Sequence, residues 1–283
     1  MRNYPILYDV NRVKFGRLNS NRDILYLFKV IFNREFKEDL LDWFAACPTG
    51  ANRWYGAFDG DIPVGMYGLL PIKVKIGSES YQAALCNNVG IVPEFQGKGL
   101  FQTLGENALK DSNSPIVVGV PNSKAVKGHK RIGWQSYGTL ELLSGNVGEG
   151  QAEYVNYENF KYISRNKNIY FCLIKDIDFM KWRYAKPGVQ YRQSFFQGDK
   201  YIIWKVYEGK NQVLETNDYR SILKLGGIVE IWEFQNRSSS QYLKKHGFFP
   251  RTNNEFILYK NQPIQIDKNP NEFNFELGDN DVF

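Results

Sequence analysis

Histidine and cysteine are both scarce in this chain, and that scarcity excludes much metal and disulfide chemistry. The two histidines, His129 and His246, form no zinc-binding spacing. The three cysteines, Cys47, Cys86 and Cys172, are scattered through apolar surroundings. They read as reduced core thiols, so neither a disulfide frame nor a bound metal is expected. No run of about 18 apolar residues occurs, so no membrane span is expected. Met1-Arg2-Asn3-Tyr4-Pro5 is not followed by an apolar stretch, so the expected setting is cytoplasmic. A block of like charge is also missing. The formal net charge of +6 is spread along the chain. It would suit an anionic ligand such as a nucleotide, a phosphorylated cofactor or RNA, but a dispersed lysine-rich surface also serves solubility alone.

Core-forming residues, by contrast, are plentiful. Of the 283 residues, 43% are hydrophobic and 16% aromatic, which argues for a packed protein of one large domain or two small ones. Ile24, Leu27, Phe28 and Ile31 recur with helical spacing inside a helix expected over 23–36, with Ser20 or Asn21 as N-cap. A second helix is expected over 38–46. Strands over 54–58, 64–76 and 81–92 follow, separated by short turns that imply antiparallel neighbours. A glycine loop then opens a helix carrying Leu100, Leu104 and Ala108 four residues apart. A buried strand over 116–120, a helix from Asn122 to near Gly133 and a strand over 137–143 complete the first half. The glycine-rich stretch 144–151 reads as a connection. Beyond it, strands are expected over 168–174, 191–196, 201–207, 212–216, 228–234 and 254–259. Helices are expected over 177–185, 218–224 and 238–246. The polar tail from Asn261 retains Phe273, Phe275, Leu277 and Phe283, so it is expected to pack along the surface.

Two short stretches repeat. Asn122, Ala125, Lys130 and Gly133-Trp134 are echoed 114 positions later by Asn236, Ser239, Lys244 and Gly247-Phe248. Each follows an apolar strand, so the chain is expected to be a duplicated fold. The division is drawn at residue 150, giving a first domain over 1–150 and a second over 151–283.

The stretch from Val89 to Gly99 carries the clearest chemistry. A strand leads into Pro93-Glu94-Phe95-Gln96-Gly97-Lys98-Gly99, and a helix begins directly after it. Amides at a helix start have no intrahelical partner, and the helix dipole makes that end positive. A pyrophosphate can therefore rest on them. Gly97 and Gly99 allow the close backbone approach that side chains would block, and Lys98 adds a cation.

This segment resembles motif A of the GNAT acyltransferases, whose pattern is Gln or Arg, two residues, Gly, one residue, then Gly or Ala. Gln96, Gly97, Lys98, Gly99 and Leu100 fit it, while Phe101 stands where the family has a small residue. A second family element, an Asn, an Ala three residues later and a Tyr four further on before a Gly-Phe pair, is matched by Asn122, Ala125 and Gly133-Trp134. His129 occupies the Tyr position, where the family's side chain often protonates the departing CoA thiolate. The resemblance covers about 20–143. It implies a mixed α/β fold of two GNAT-like domains, each a mostly antiparallel sheet flanked by helices, with splayed central parallel strands in the first. It further implies acetyl-CoA as co-substrate, with pantetheine paired to Gly90, Ile91 and Val92. The pyrophosphate would lie on Gln96 to Phe101, near Asn122.

The second half has no glycine loop of this kind and is expected to shape an acceptor site. Tandem arrangements of this sort resemble bacterial transferases of surface-polysaccharide and amino-sugar pathways. On that resemblance Trp182, Arg183 and Tyr184 are candidates to grip a sugar or a phosphate. A general base is harder to assign: Glu79, Glu94, Glu141, Asp279 and Asp281 are the acidic candidates, of which Glu94 and Asp279 are carried forward. The reading is N-acyl transfer from acyl-CoA to a small primary amine, foremost an amino sugar or nucleotide-linked amino sugar. Two alternatives stand beside it. One is aminoacyl transfer from tRNA to a peptidoglycan precursor; an intact pyrophosphate loop argues against a nucleic-acid partner. The other is a non-catalytic acyl-CoA-binding protein.

Overall fold

The computed structural model describes residues 12–150, 152–156, 169–266, 269 and 272–280. Asp281 and Phe283, and the start of the strand expected at Asn168, lie outside them. The chain begins with β1 (Val13–Arg17) and α1 (Asn21–Phe32). Ser20 caps α1, its hydroxyl accepting from the Asp23 amide at 3.2 Å. Ile24, Leu27 and Phe28 form the buried stripe, and Asn33 ends the helix in the left-handed region at φ 53°. The helix therefore stops four residues short of the expected Phe36. Next come α2 (Glu38–Ala45), β2 (Arg53–Asp59), β3 (Ile62–Ile76) and β4 (Glu79–Ile91). A 3-10 turn over Pro93–Phe95 leads through the loop to α3 (Leu100–Ser112), β5 (Ile116–Gly119), α4 (Ala125–Arg131) and β6 (Gln135–Asn146). The second half holds β7 (Val155–Asn156), β8 (Phe171–Leu173), α5 (Ile177–Arg183), β9 (Tyr191–Phe196), β10 (Lys200–Tyr207) and β11 (Lys210–Thr216). A 3-10 helix over Tyr219–Lys224 stands where an ordinary helix was expected. It precedes β12 (Ile228–Phe234), α6 (Ser238–Lys245), β13 (Phe249–Lys260), β14 (Phe273–Asn274) and α7 (Leu277–Asn280).

One sheet joins the strands in the order β1-β2-β3-β4-β5-β13-β6-β12-β11-β10-β9-β7, with β8 and β14 off this path. Read from either end, the pattern is the same. Along that path neighbours are antiparallel except β4 with β5 and β11 with β12, which are parallel. At the centre the halves exchange a strand. β6 pairs with β12, and β13 pairs with β5. These exchanged strands are twelve residues each, and Phe249 follows Gln135 by the repeat offset of 114. The mixed α/β class with a mostly antiparallel sheet is as expected. The largest apolar core runs across residue 150, since Phe234, Phe256, Phe273 and Phe275 pack in one cluster with Tyr67 and Leu104.

The two central strands of the first half separate early. β4 and β5 pair only from Ala83 to Leu85 and from Ile116 to Val118, while β4 continues to Ile91. The cause lies in β4. Between Met66 and Gly68 of β3, the partner residue moves from Gly90 to Asn87, so β4 carries one extra residue. Such a bulge bends and twists its strand. Asn88 sits in it at φ 48° and only 2% exposed. Its side-chain amide donates to Asn87 Oδ1 at 2.7 Å, and Asn87 Nδ2 donates to Asn52 Oδ1 at 2.9 Å. This chain of amides ties the bend to the segment entering β2.

Candidate active site

The loop after β4 is held by its own side chains. Gln96 Nε2 donates to the Ile91 carbonyl at 2.8 Å, and Lys98 Nζ donates to the Glu94 carbonyl at 3.0 Å while lying 5.1 Å from the Phe95 ring centroid. Gly97 and Gly99 have φ of 75° and 80°, and open space surrounds the position a Cβ would take at each. A side chain at either would carry left-handed strain and project into that space. The amides of Gly97, Gly99, Leu100 and Phe101 make no hydrogen bond among the described residues. They face a cleft of about 590 Å³ that is walled by β4 at Gly90 and Ile91, α1 at Ile31 and Phe32, and α4.

Lys124, Lys127 and Arg131 line this cleft, and no Asp or Glu does so among the described residues. Their spacing of three and four puts them on one face of the α4 segment. Asn122 also lines it, with Oδ1 accepting from the amides of Lys124 and Ala125 at 3.1 and 3.0 Å to start α4. Open amides, a helix start and three cations form an anion site. The donor set therefore fits a diphosphate-bearing acyl carrier. Ile31 lies against Gly90 so closely that a Cβ there would meet Ile31 Cγ2 at 2.3 Å. Phe101 is accommodated by a second glycine: a Cβ on Gly128 would lie 2.6 Å from its ring. The large residue at 101 is thus paired with a missing side chain on α4.

Of the sequence candidates, Gly90, Ile91, Gln96, Gly97, Gly99, Leu100, Phe101 and Asn122 line the cleft. Val92 and Glu94 line a neighbouring hollow beside Tyr26 and Ile62 instead. Lys98 folds back over its own loop.

The remaining candidates do not line the cleft. His129 is 3% exposed and packs among Tyr67, Phe101 and Trp134, with Nδ1 3.5 Å from the Tyr67 hydroxyl. Burial lowers its pKa to about 4, so at neutral pH the ring is uncharged and has little proton to give. It belongs to the packing beneath the cleft. Trp182 stacks on Trp43 with ring centroids 4.5 Å apart, and each indole N–H donates to the other residue's carbonyl, at 2.7 and 2.6 Å. Arg183 is buried, its Nε donating to the Gly278 carbonyl at 2.6 Å. The Tyr184 hydroxyl donates to Glu215 at 3.0 Å. All three side chains face the interior, so none stands ready for a sugar. Asp279 is buried and paired with Lys175, which also meets Glu215 and Glu276. That pairing sets Asp279 in the fold, and it does not line the cleft.

Sequence reasoning missed Ile31, Phe32, Lys124, Lys127 and Arg131. The three cations on α4 were visible as a spacing pattern; the approach of α1 to Gly90 is tertiary and was not. A separate polar cavity of about 640 Å³, lined by Arg17, Asn52 and Arg53, sits by the start of β4 and the end of α3. It is remote from the loop and plays no part in this site.

Residues 16–136 match the family of acetyltransferase (GNAT) domains. Over that stretch the chain carries a GNAT acetyltransferase domain, which supports an N-acetyltransferase. Solved structures share the fold at low identity. The GCN5-related N-acetyltransferase of Kribbella flavida is 14% identical with a TM-score of 0.60, over 88% of this chain and 72% of that one. The GCN5-related N-acetyltransferase of Anabaena variabilis is 13% identical with a TM-score of 0.61, over 87% and 72%. A Pyrococcus horikoshii protein put forward as an acetyltransferase is 12% identical with a TM-score of 0.63, over 100% and 99%. No curated protein sequence matches the chain. GNAT enzymes use acetyl-CoA as co-substrate, and among the described residues no helix is long and apolar enough to cross a membrane.

Proposed function

We propose that the protein transfers an acetyl or short acyl group from acyl-CoA to a small primary amine, foremost an amino sugar, in the cytoplasm. The observation that carries this reading is the Gly97–Gly99 loop, with open amides at the start of α3 and three cations across the cleft. The loop amides, Lys124, Lys127 and Arg131 hold the phosphates. The β4 edge beyond Leu85, free of β5, offers backbone groups to the pantetheine arm and a donor to the thioester oxygen. Ile31 and Phe32 close the apolar side. The acceptor amine attacks the carbonyl carbon, an N–C bond forms as the C–S bond breaks, and the ammonium proton leaves to water in the open cleft. The second half, with no long loop-and-helix connection between its parallel strands, reads as a copy that has given up CoA and serves the acceptor.

Thiol release from acetyl-CoA in the presence of a panel of primary amines tests this. Release that depends on an amine is expected. CoA binding without release by any amine would make the protein a non-catalytic acyl-CoA-binding one.

A further inference from the structure

The polar cavity by the start of β4 has the size of a ligand site. It measures about 640 Å³, within the usual range for a small molecule. Its walls include the entry to β2, the start of β4 from Gln82 to Ala84, and the end of α3. Ala84 lines this cavity and Gly90 lines the acyl-CoA cleft. Six residues of strand separate them, roughly 20 Å at about 3.3 Å per residue. A small ligand in the cavity therefore does not touch the Gly97–Gly99 loop.

Two lining residues keep unused donors. Asn52 is 8% exposed, and its Nδ2 makes no hydrogen bond among the described residues. The orientation of that amide is fixed by its neighbour. Asn87 Nδ2 donates to the Leu85 carbonyl at 3.2 Å, which identifies that atom as the nitrogen. The same nitrogen donates to Asn52 Oδ1 at 2.9 Å. The oxygen of Asn52 is thus taken, and its donor is the atom left to the cavity. A buried donor without an acceptor carries the desolvation cost of an unmade bond. Arg53 is the second. Its Nη1 donates to the Ser112 carbonyl at 2.9 Å, while its Nε and Nη2 make no hydrogen bond among the described residues. Those two atoms form one edge of the guanidinium, a fork that accepts a carboxylate side-on.

Charge decides the class of ligand. Arg17 also lines the cavity but is already engaged: it pairs with Asp111 at 2.7 Å and lies 4.3 Å from the Tyr55 ring centroid. No Asp or Glu lines the cavity among the described residues. With Arg17 and Asp111 cancelling, Arg53 leaves one positive charge, which a single carboxylate balances and a phosphate dianion exceeds. Asn19, Asn21, Gln82 and Asn113 add neutral amides to the lining.

We propose that this cavity is a ligand site for a small monocarboxylate that carries a second hydrogen-bond acceptor. Arg53 takes the carboxylate, and Asn52 Nδ2 donates to the second acceptor. The neutral amides suit a polar body between the two. The site is independent of the acyl-transfer reading.

Succinamate, a monocarboxylate with an amide at its other end, serves as the probe. Succinamide lacks its charge, and butyrate lacks its second acceptor. Each is titrated by saturation-transfer NMR, with and without saturating CoA. Succinamate is expected to bind at least fivefold tighter than either relative, whether or not CoA is present, and inorganic phosphate to compete no better than butyrate. Arg53→Gln, at an exposed position, is expected to bring succinamate down to the level of succinamide, with CoA affinity within twofold. Displacement of succinamate by CoA would put it in the acyl-CoA cleft and overturn the proposal. So would a relative or phosphate that binds as tightly as succinamate, or undiminished succinamate binding in Arg53→Gln. CoA binding with no succinamate binding overturns this site alone and leaves the acyl-CoA site intact.

Discussion

The two halves of the sheet have the same strand order and differ in the connection between their parallel strands. In the first half, 24 residues join β4 to β5 and include the Gly97–Gly99 loop and the thirteen-residue α3. In the second, β11 reaches β12 through a short connection whose only helix is the 3-10 turn Tyr219–Lys224. The parallel pair is present in both halves, so pairing alone does not make an anion site. The difference is the helix start, with amides left open by two left-handed glycines. A six-residue 3-10 helix gives no comparable dipole or amide array.

The largest test of this comparison concerns how the halves are joined. Trp182→Ala removes one face of the Trp43 stack and the hydrogen bond from the Trp182 indole N–H to the Trp43 carbonyl, and should cost about 3–5 kcal/mol. Because the exchanged strands β6 and β13 and the common core tie the halves together, denaturant unfolding followed by fluorescence and circular dichroism should remain one coincident transition. Two separated transitions would mean that the halves are independent units.

Next comes pH. The His129 pKa falls from 6.5 to about 4 on folding. The unfolded chain therefore takes up this proton first, and stability is lost as pH falls from 6.5 to about 4, with no further loss from this group below that. The contribution is roughly 3 kcal/mol. Urea titrations between pH 4 and 7.5 should show it, and His129→Phe should flatten it while leaving kcat within about twofold. A kcat that drops a hundredfold in that variant, with CoA affinity kept, would restore the acid role.

Much of the first half was legible because its signals are local. Ser20 before an amphipathic run, Gly60 and Gly77 at tight turns, and Pro93 to Gly99 before Leu100 all act within a few residues. The repeat offset was likewise legible, and β6 and β13 bear the same offset. The strand exchange was not, since β13 could as well have closed its own half; pairing partners are chosen by the whole core. Trp182 and Arg183 look like site residues in sequence, and only the position of Trp43, far away in the chain, explains them. His129 sits at the family's Tyr position, yet Phe101 and Trp134 bury it, which no spacing pattern reports.

A smaller effect is expected on the cleft's far wall. Lys127→Glu should weaken CoA about tenfold, and raising the salt should narrow the gap to wild type because the interaction is partly screened. Lys224→Glu, on the second-half connection, should leave CoA affinity unchanged within twofold. Equal effects at both positions would remove the distinction between the halves.

Calorimetric titration of the full chain with CoA, in wild type and Gly99→Glu, tests the central claim most directly. One site per chain is predicted, with affinity falling at least a hundredfold when the carboxylate at position 99 occupies the diphosphate's place. At a hundredfold excess over Kd the wild type should also gain about 2.7 kcal/mol of stability that the variant lacks. Two equivalent sites per chain, or an unchanged affinity in Gly99→Glu, would contradict the account.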